Sequence, residues 1–164
     1  RRSSAMGSWR QIVGALSTHP VDRPTSLGRV VDQTLAKITN RCLIALVSDL
    51  YVDPDEYRSA LARLRHRRHD LIVFHIVDEQ ERTLNLSETA PFIGLEGEPE
   101  LKVDPRAIRA TYQRIFQDHL DAIERITLSS GFDYQLVNTH DWLGPPMAAF
   151  MARRNAQIKR SKFG

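Results

Sequence analysis

Two uninterrupted apolar runs constrain this chain more than any other feature. Cys42-Leu43-Ile44-Ala45-Leu46-Val47 and Leu71-Ile72-Val73-Phe74-His75-Ile76-Val77 are each about as long as a strand. A strand that is apolar at consecutive positions suits a parallel sheet covered on both faces. Each run ends on carboxylates, Asp49 after the first and Asp78 with Glu79 after the second. Between them, Asp53, Pro54 and Glu56 read as N-cap, first-turn proline and returning carboxylate of a helix whose side is lined by Tyr57, Ala60, Leu61 and Leu64. The basic run from Arg63 to His69 closes that helix, where positive charge meets the exposed carbonyls.

The same rhythm extends in both directions. Upstream, Trp9, Ile12, Val13 and Leu16 form one face of a short helix stopped at His19-Pro20, and Leu27, Val30, Val31, Leu35 and Ile38 repeat the helical spacing with Thr25 placed as the cap. Downstream, Thr83–Leu86 and Glu100–Val103 alternate around a Glu98-Pro99 turn, which predicts a small antiparallel insertion over residues 82–103. Asp104-Pro105 starts the longest helix, with Ile108, Tyr112, Ile115, Phe116, Leu120, Ile123 and Ile126 on one stripe and an end at Gly131. A third strand, Phe132–Val137, leads to Asn138-Thr139-His140-Asp141. The last helix uses Leu143, Met147, Phe150 and Met151, and a basic tail over 155–164 is expected to fray. The expectation is one α/β domain with a doubly wound, mostly parallel sheet and helices on both faces. Such sheets carry function at the carboxyl ends of their strands, where Asp49, Asp78 and Thr139 fall.

Composition narrows the class. The net charge of +3 comes from 23 basic and 20 acidic residues interspersed along 164, a mixed solvated surface that implies no nucleic-acid partner. The basic tail lacks the interleaved aromatics of a nucleic-acid binder until Phe163. Cys42 is the one cysteine, so no internal disulfide forms, and it reads as a small buried hydrophobe of a reducing compartment. No stretch approaches the roughly 20 apolar residues of a membrane span, and the first twenty residues lack a signal peptide's apolar centre, so a cytoplasmic location is expected if the chain is whole. It begins at Arg1 without an initiating methionine, and whether residues 1–8 are native stays open.

Arg63-Leu64-Arg65-His66-Arg67-Arg68-His69-Asp70 running through Leu71–Val77 into Asp78, with Glu81 shortly after, resembles a segment of the bacterial family called domain of unknown function fifty-eight. Leu43–Leu50 is similar to its strand ending in Ser-Asp-Leu, and Leu95-Glu96-Gly97-Glu98 to its Leu-Glu-Thr-Gly-Glu turn. Val103-Asp104-Pro105 with Tyr112 and His119, Asp133-Tyr134 followed by Asn138-Thr139, and Ala152-Arg153-Arg154 also have counterparts in order. Members of that family look like von Willebrand factor A domains, which bind partners through a metal-ion-dependent adhesion site, and are commonly encoded beside MoxR-type AAA+ ATPases. The resemblance therefore implies an adaptor whose protein partner is such an ATPase. Of the three loops of the adhesion site, Thr25 matches the middle threonine and Asp49 the aspartate after the fourth strand, while no Asp-x-Ser-x-Ser occurs. By the resemblance, the chain is the latter half of the family's domain. Two protein oxygens leave most of the octahedral shell of Mg²⁺ to water, so the chain alone is expected to bind the ion poorly. The strand Leu43–Val47 is expected to present an unpaired edge and to favour self-association.

Each residue also carries a plainer reading. Thr25 is an ordinary helix cap as well as a candidate ligand, and Asp49 a turn cap as well as a site residue. His66 and His69 read as helix-end charge, His75 as a hydrogen-bonded core residue, Asp78, Glu79 and Glu81 as a solvated loop, and Trp142 as closing the end of the sheet, with an exposed partner anchor as its alternative. No catalytic constellation accompanies them, so the expectation is a non-enzymatic interaction module. The alternative is a divalent-metal-dependent hydrolase or phosphotransferase using Asp49 and Asp78.

Overall fold

Helix starts are set by local hydrogen bonding. In the computed structural model, which describes residues 6–18, 26–86, 90–92 and 101–163, Asp53 accepts from the Asp55 and Glu56 amides at 2.9 and 3.1 Å and opens α3 (Pro54–His66). Glu56 does not return to that cap as the sequence suggested. Its carboxylate accepts from the Gly28 amide at 3.2 Å, a free first-turn donor of the neighbouring helix α2 (Leu27–Lys37). Ser26, not Thr25, caps α2 by accepting from the Arg29 amide. Thr25 itself, like His19 and Pro20, lies outside the described residues. Upstream, α1 (Met6–Thr18) forms as expected, yet its apolar residues Trp9, Ile12, Val13 and Leu16 are all exposed.

The sheet consists of β1 (Leu43–Ser48), β2 (Asp70–Val77) and β5 (Asp133–Asn138), all parallel, in the order β1-β2-β5. Two crossovers of the same hand that step the same way along a sheet leave their helices on one face. Accordingly α3 and α5 (Pro105–Ser129) share a face with α2, and the core forms there from Leu27, Val31, Leu50, Tyr57, Leu61, Leu64, Leu71, Val73, Ile123 and Ile126. Within it the Tyr57 hydroxyl meets Thr127 Oγ1 at 2.7 Å while Thr127 donates to the Ile123 carbonyl, and burial pushes the Tyr57 hydroxyl up to about 12. The other face belongs to α6 (Gly144–Phe163): Phe150 meets Phe74 edge-on at 5.6 Å, and Arg154 bridges Asp70 and Asp133. The fold is thus α/β with a parallel sheet and helices on both faces, consistent with a doubly wound arrangement.

Several local expectations are corrected. Thr83–Leu86 is not a strand: α4 (Glu79–Thr83) is opened by a capping box between Asp78 and Glu81 and closed by Leu84 in the left-handed region, φ 47°. Arg109 and Gln113 of α5 then donate to the carbonyls of Leu84, Leu86 and Thr83, taking up polar groups that a partner strand would have used. An antiparallel ribbon does follow, from β3 (Ala90–Phe92) and β4 (Leu101–Val103). Helix α6 extends to Phe163, and Arg154 forms ion pairs while Arg153 donates to Gln135. Trp142 does not close the sheet but stands 82% exposed. Cys42 is half-buried, with its sulfur 3.5 Å from His69 Nδ1.

Candidate functional site

The carboxyl ends of the three strands converge, and the loop after β1 is the most constrained of them. Leu50 is fully buried at φ 51°, a left-handed conformation that a branched side chain adopts only when its surroundings impose it. Two histidines from other elements impose it. His75 of β2 donates from Nε2 to the Asp49 carbonyl at 2.8 Å, and His119 of α5 donates from Nε2 to the Leu50 carbonyl at 2.9 Å. A carbonyl only accepts, so the proton of His75 sits on Nε2, and Nδ1 accepts from the Tyr134 hydroxyl at 2.9 Å. Burial holds the His75 imidazole below its usual value, which keeps the ring neutral, and burial likewise raises Tyr134. The Leu50 amide donates to Ser48 Oγ, fixing the turn from inside.

With the backbone held this way, the side chains on either side of Leu50 face solvent. Asp49 is exposed, its Oδ1 accepting from the Ser48 hydroxyl at 3.3 Å, and Tyr51 is 88% exposed. Tyr51 borders a cleft of about 400 Å³ lined by Val52, Asp53, Tyr112, Ile115, Phe116 and His119. Tyr112 and Phe116 stack at 5.7 Å, and Ile115 keeps more than half its surface exposed. The amino-terminal half of the α5 stripe therefore lines an open cleft while its carboxyl-terminal half, Leu120, Ile123 and Ile126, enters the core.

A second polar cluster sits at the ends of β2 and β5. Thr139 donates its hydroxyl to Asp78 Oδ2 at 2.7 Å and the Gln80 amide donates to Oδ1 at 2.8 Å, which together hold the Asp78 carboxyl below the usual carboxylate range. Arg82 grips Glu79 at 2.8 and 3.0 Å, and Asn138 donates to the same carboxylate, lowering Glu79 in the same direction.

A family model described as "Protein of unknown function DUF58" matches residues 2–122. The chain belongs to the DUF58 family. The match runs from α1 into α5, so it includes Asp49, His75 and His119, while β5 and α6 lie beyond it. No curated protein and no solved structure matches. No described helix of this DUF58 chain is long and apolar enough to cross a membrane.

Of the positions expected to hold Mg²⁺, Thr25 is outside the described residues and Asp49 is at the strand end where the sequence placed it. Asp49 offers one carboxylate with a serine hydroxyl beside it, and among the described residues no group of three His, Cys, Asp or Glu side chains gathers around it. The sequence reading singled out Asp49, Asp78 and Thr139, and the structure pairs the last two directly. It missed the cleft of Tyr51, Tyr112, Phe116 and His119. The only signal for that cleft was an α5 stripe longer than three short strands can cover.

Proposed function

We infer that this chain is a non-enzymatic protein-interaction module whose docking surface is the exposed pair Asp49 and Tyr51 with the aromatic cleft beside them. The observation that carries the reading is the double clamp on the loop. His75 and His119, the imidazoles nearest the cleft, both donate to backbone carbonyls, so they serve to present Asp49 and Tyr51 rather than to move protons. An exposed tyrosine over a cleft lined by Tyr112, Ile115 and Phe116 is the composition of an anchor site for a partner's apolar side chain. Asp49 beside it suits a basic residue on that partner. The partner class that the family resemblance suggests is a MoxR-type AAA+ ATPase.

The alternative, a hydrolase in which Asp49 and Asp78 share a divalent ion, is less well supported, because Asp78 already engages both oxygens with Thr139 and the Gln80 amide. The test is titration calorimetry of the chain against such an ATPase. Tyr51→Ala is expected to weaken binding about tenfold to thirtyfold, the loss of about 1.4–2 kcal/mol typical of a central anchor. Chelation by EDTA is expected to leave the affinity unchanged. Equal affinity for Tyr51→Ala and for Asp49→Ala would remove the strand-end surface from the interface.

A further inference from the structure

The three parallel strands begin on the side of the sheet opposite to the loop of Asp49 and Leu50, and positive charge collects there. Arg41 precedes β1, Arg65 and Arg68 stand at the end of α3 just before β2, and with His69, Asp70 and Phe132 they line a cavity of about 370 Å³. Arginines at a helix end ordinarily serve its free carbonyls. Here the backbone has already taken those carbonyls. The Arg67, Arg68 and His69 amides donate to the carbonyls of Arg63, Arg65 and Leu64, and at the end of α5 the Ser130, Gly131 and Phe132 amides donate to those of Ile126, Leu128 and Thr127. Among the described residues Arg41, Arg65 and Arg68 form no ion pair or side-chain hydrogen bond. His69 adds a buried donor. It is only 7% exposed, and the Cys42 amide donates to its Nδ1 at 3.4 Å, so the neutral ring carries its proton on Nε2. That N–H has no partner among the described residues, although buried polar groups are ordinarily hydrogen-bonded. Asp70, the one carboxylate of the lining, is already engaged by the Leu71 amide and by Arg154.

We propose that this cavity binds a phosphate dianion, either free or as the monoester group of a small molecule. The unpartnered groups around it, three guanidiniums and the Nε2–H of His69, are donors only, so they select an acceptor. Each guanidinium presents paired N–H groups that match two oxygens of one anion. A tetrahedral phosphate has enough oxygens to engage several such pairs at once, whereas a carboxylate is filled by fewer. Three arginines against one engaged carboxylate also leave a positive excess that suits a charge of about −2. The cavity is larger than a bare phosphate and within the size range of small-ligand sites, and Phe132 gives it an apolar wall against which the carbon part of a monoester can rest. The site lies at the strand ends opposite to Asp49 and Tyr51, so it stands apart from the docking surface inferred there.

The test is an NMR titration of the chain with sodium phosphate and with phenyl phosphate, at constant ionic strength and about pH 7.5, where the dianion prevails. Saturable shifts are expected at the His69 imidazole and at the Arg68 and Gly131 amides. Arg65→Gln combined with Arg68→Gln, both at exposed side chains, is expected to weaken binding about tenfold or more through the loss of two charge-assisted contacts. Removing the same charge at two exposed positions elsewhere, Arg29→Gln with Arg114→Gln, is expected to change it by no more than about twofold, as screened distant charges do. Phenyl phosphate binding more tightly than phosphate would assign the site to a monoester, and equal affinities would assign it to the ion itself. No saturable shift with either ligand, equal losses in the two double variants, or tighter binding of a tetra-aspartate peptide, the mark of a surface for an acidic protein, would overturn the proposal.

Discussion

β1 and β2 are close to interchangeable as strings of residues, yet they live in different environments. Leu71 and Val73 of β2 are fully buried, whereas Leu43 and Val47 of β1 keep 53% and 63% of their surface. The difference lies in their neighbours. β2 has a strand on each side, α2, α3 and α5 above it and α6 below; among the described residues β1 has one strand beside it and helices on one face only. Apolar content thus shows that a strand belongs in a parallel sheet, while the neighbours decide how much of it is covered.

The sharpest way to break this comparison is truncation of one leucine in each strand. Leu71→Ala in β2 is expected to cost about 2–5 kcal/mol by urea denaturation, since it leaves a cavity in the core. Leu43→Ala in β1 is expected to cost about 1 kcal/mol or less, because half its surface is already wet. Equal costs would mean that the outer face of β1 is covered after all.

A middle-sized effect concerns His75, the β2 residue in register with Ser48 of β1. Its burial lowers the folded-state value, so below about pH 6.5 the unfolded chain binds the proton more readily than the folded one. Stability is then complete above that pH and falls as the pH drops through and below it. His75→Gln is expected to lose about 1–3 kcal/mol at neutral pH through its hydrogen bonds to Asp49 and Tyr134, and to flatten this part of the acid dependence. A pH series of urea midpoints reads both effects, and an unchanged acid slope in the variant would assign the dependence elsewhere.

The smallest effect completes the contrast. Val47→Lys is expected to alter monomer stability by no more than about 0.5 kcal/mol, whereas the same change at Val73 would place a charge among Tyr57, Leu61 and Ile123. A large loss at Val47 would show that β1 is covered within the monomer.

Much of the architecture was legible because its signals are local. The caps Asp53 and Asp104, the buried faces of α3 and α5, and the parallel strands follow from spacing, proline placement and apolar runs that neighbouring residues suffice to satisfy. Asp49 was legible as a strand-end carboxylate. The misreadings share a different cause. Thr83–Leu86 alternates like a strand, but the Asp78–Glu81 capping box and the donors from Arg109 and Gln113 favour a helical turn there. Trp142 looked like core by its side chain alone, while the space over β2 is taken by Phe150.

The amino-acid sequence by itself determined the long helices, the three strands of the main sheet and that this sheet is parallel, because period and capping act within a few residues. Only the tertiary structure decided that His75 and His119 both serve the loop at Asp49 and Leu50, and that half of the α5 stripe forms a cleft. Those outcomes depend on which distant side chains arrive at the same place: Asp49 and His75 are 26 residues apart in the chain, and Leu50 and His119 are 69.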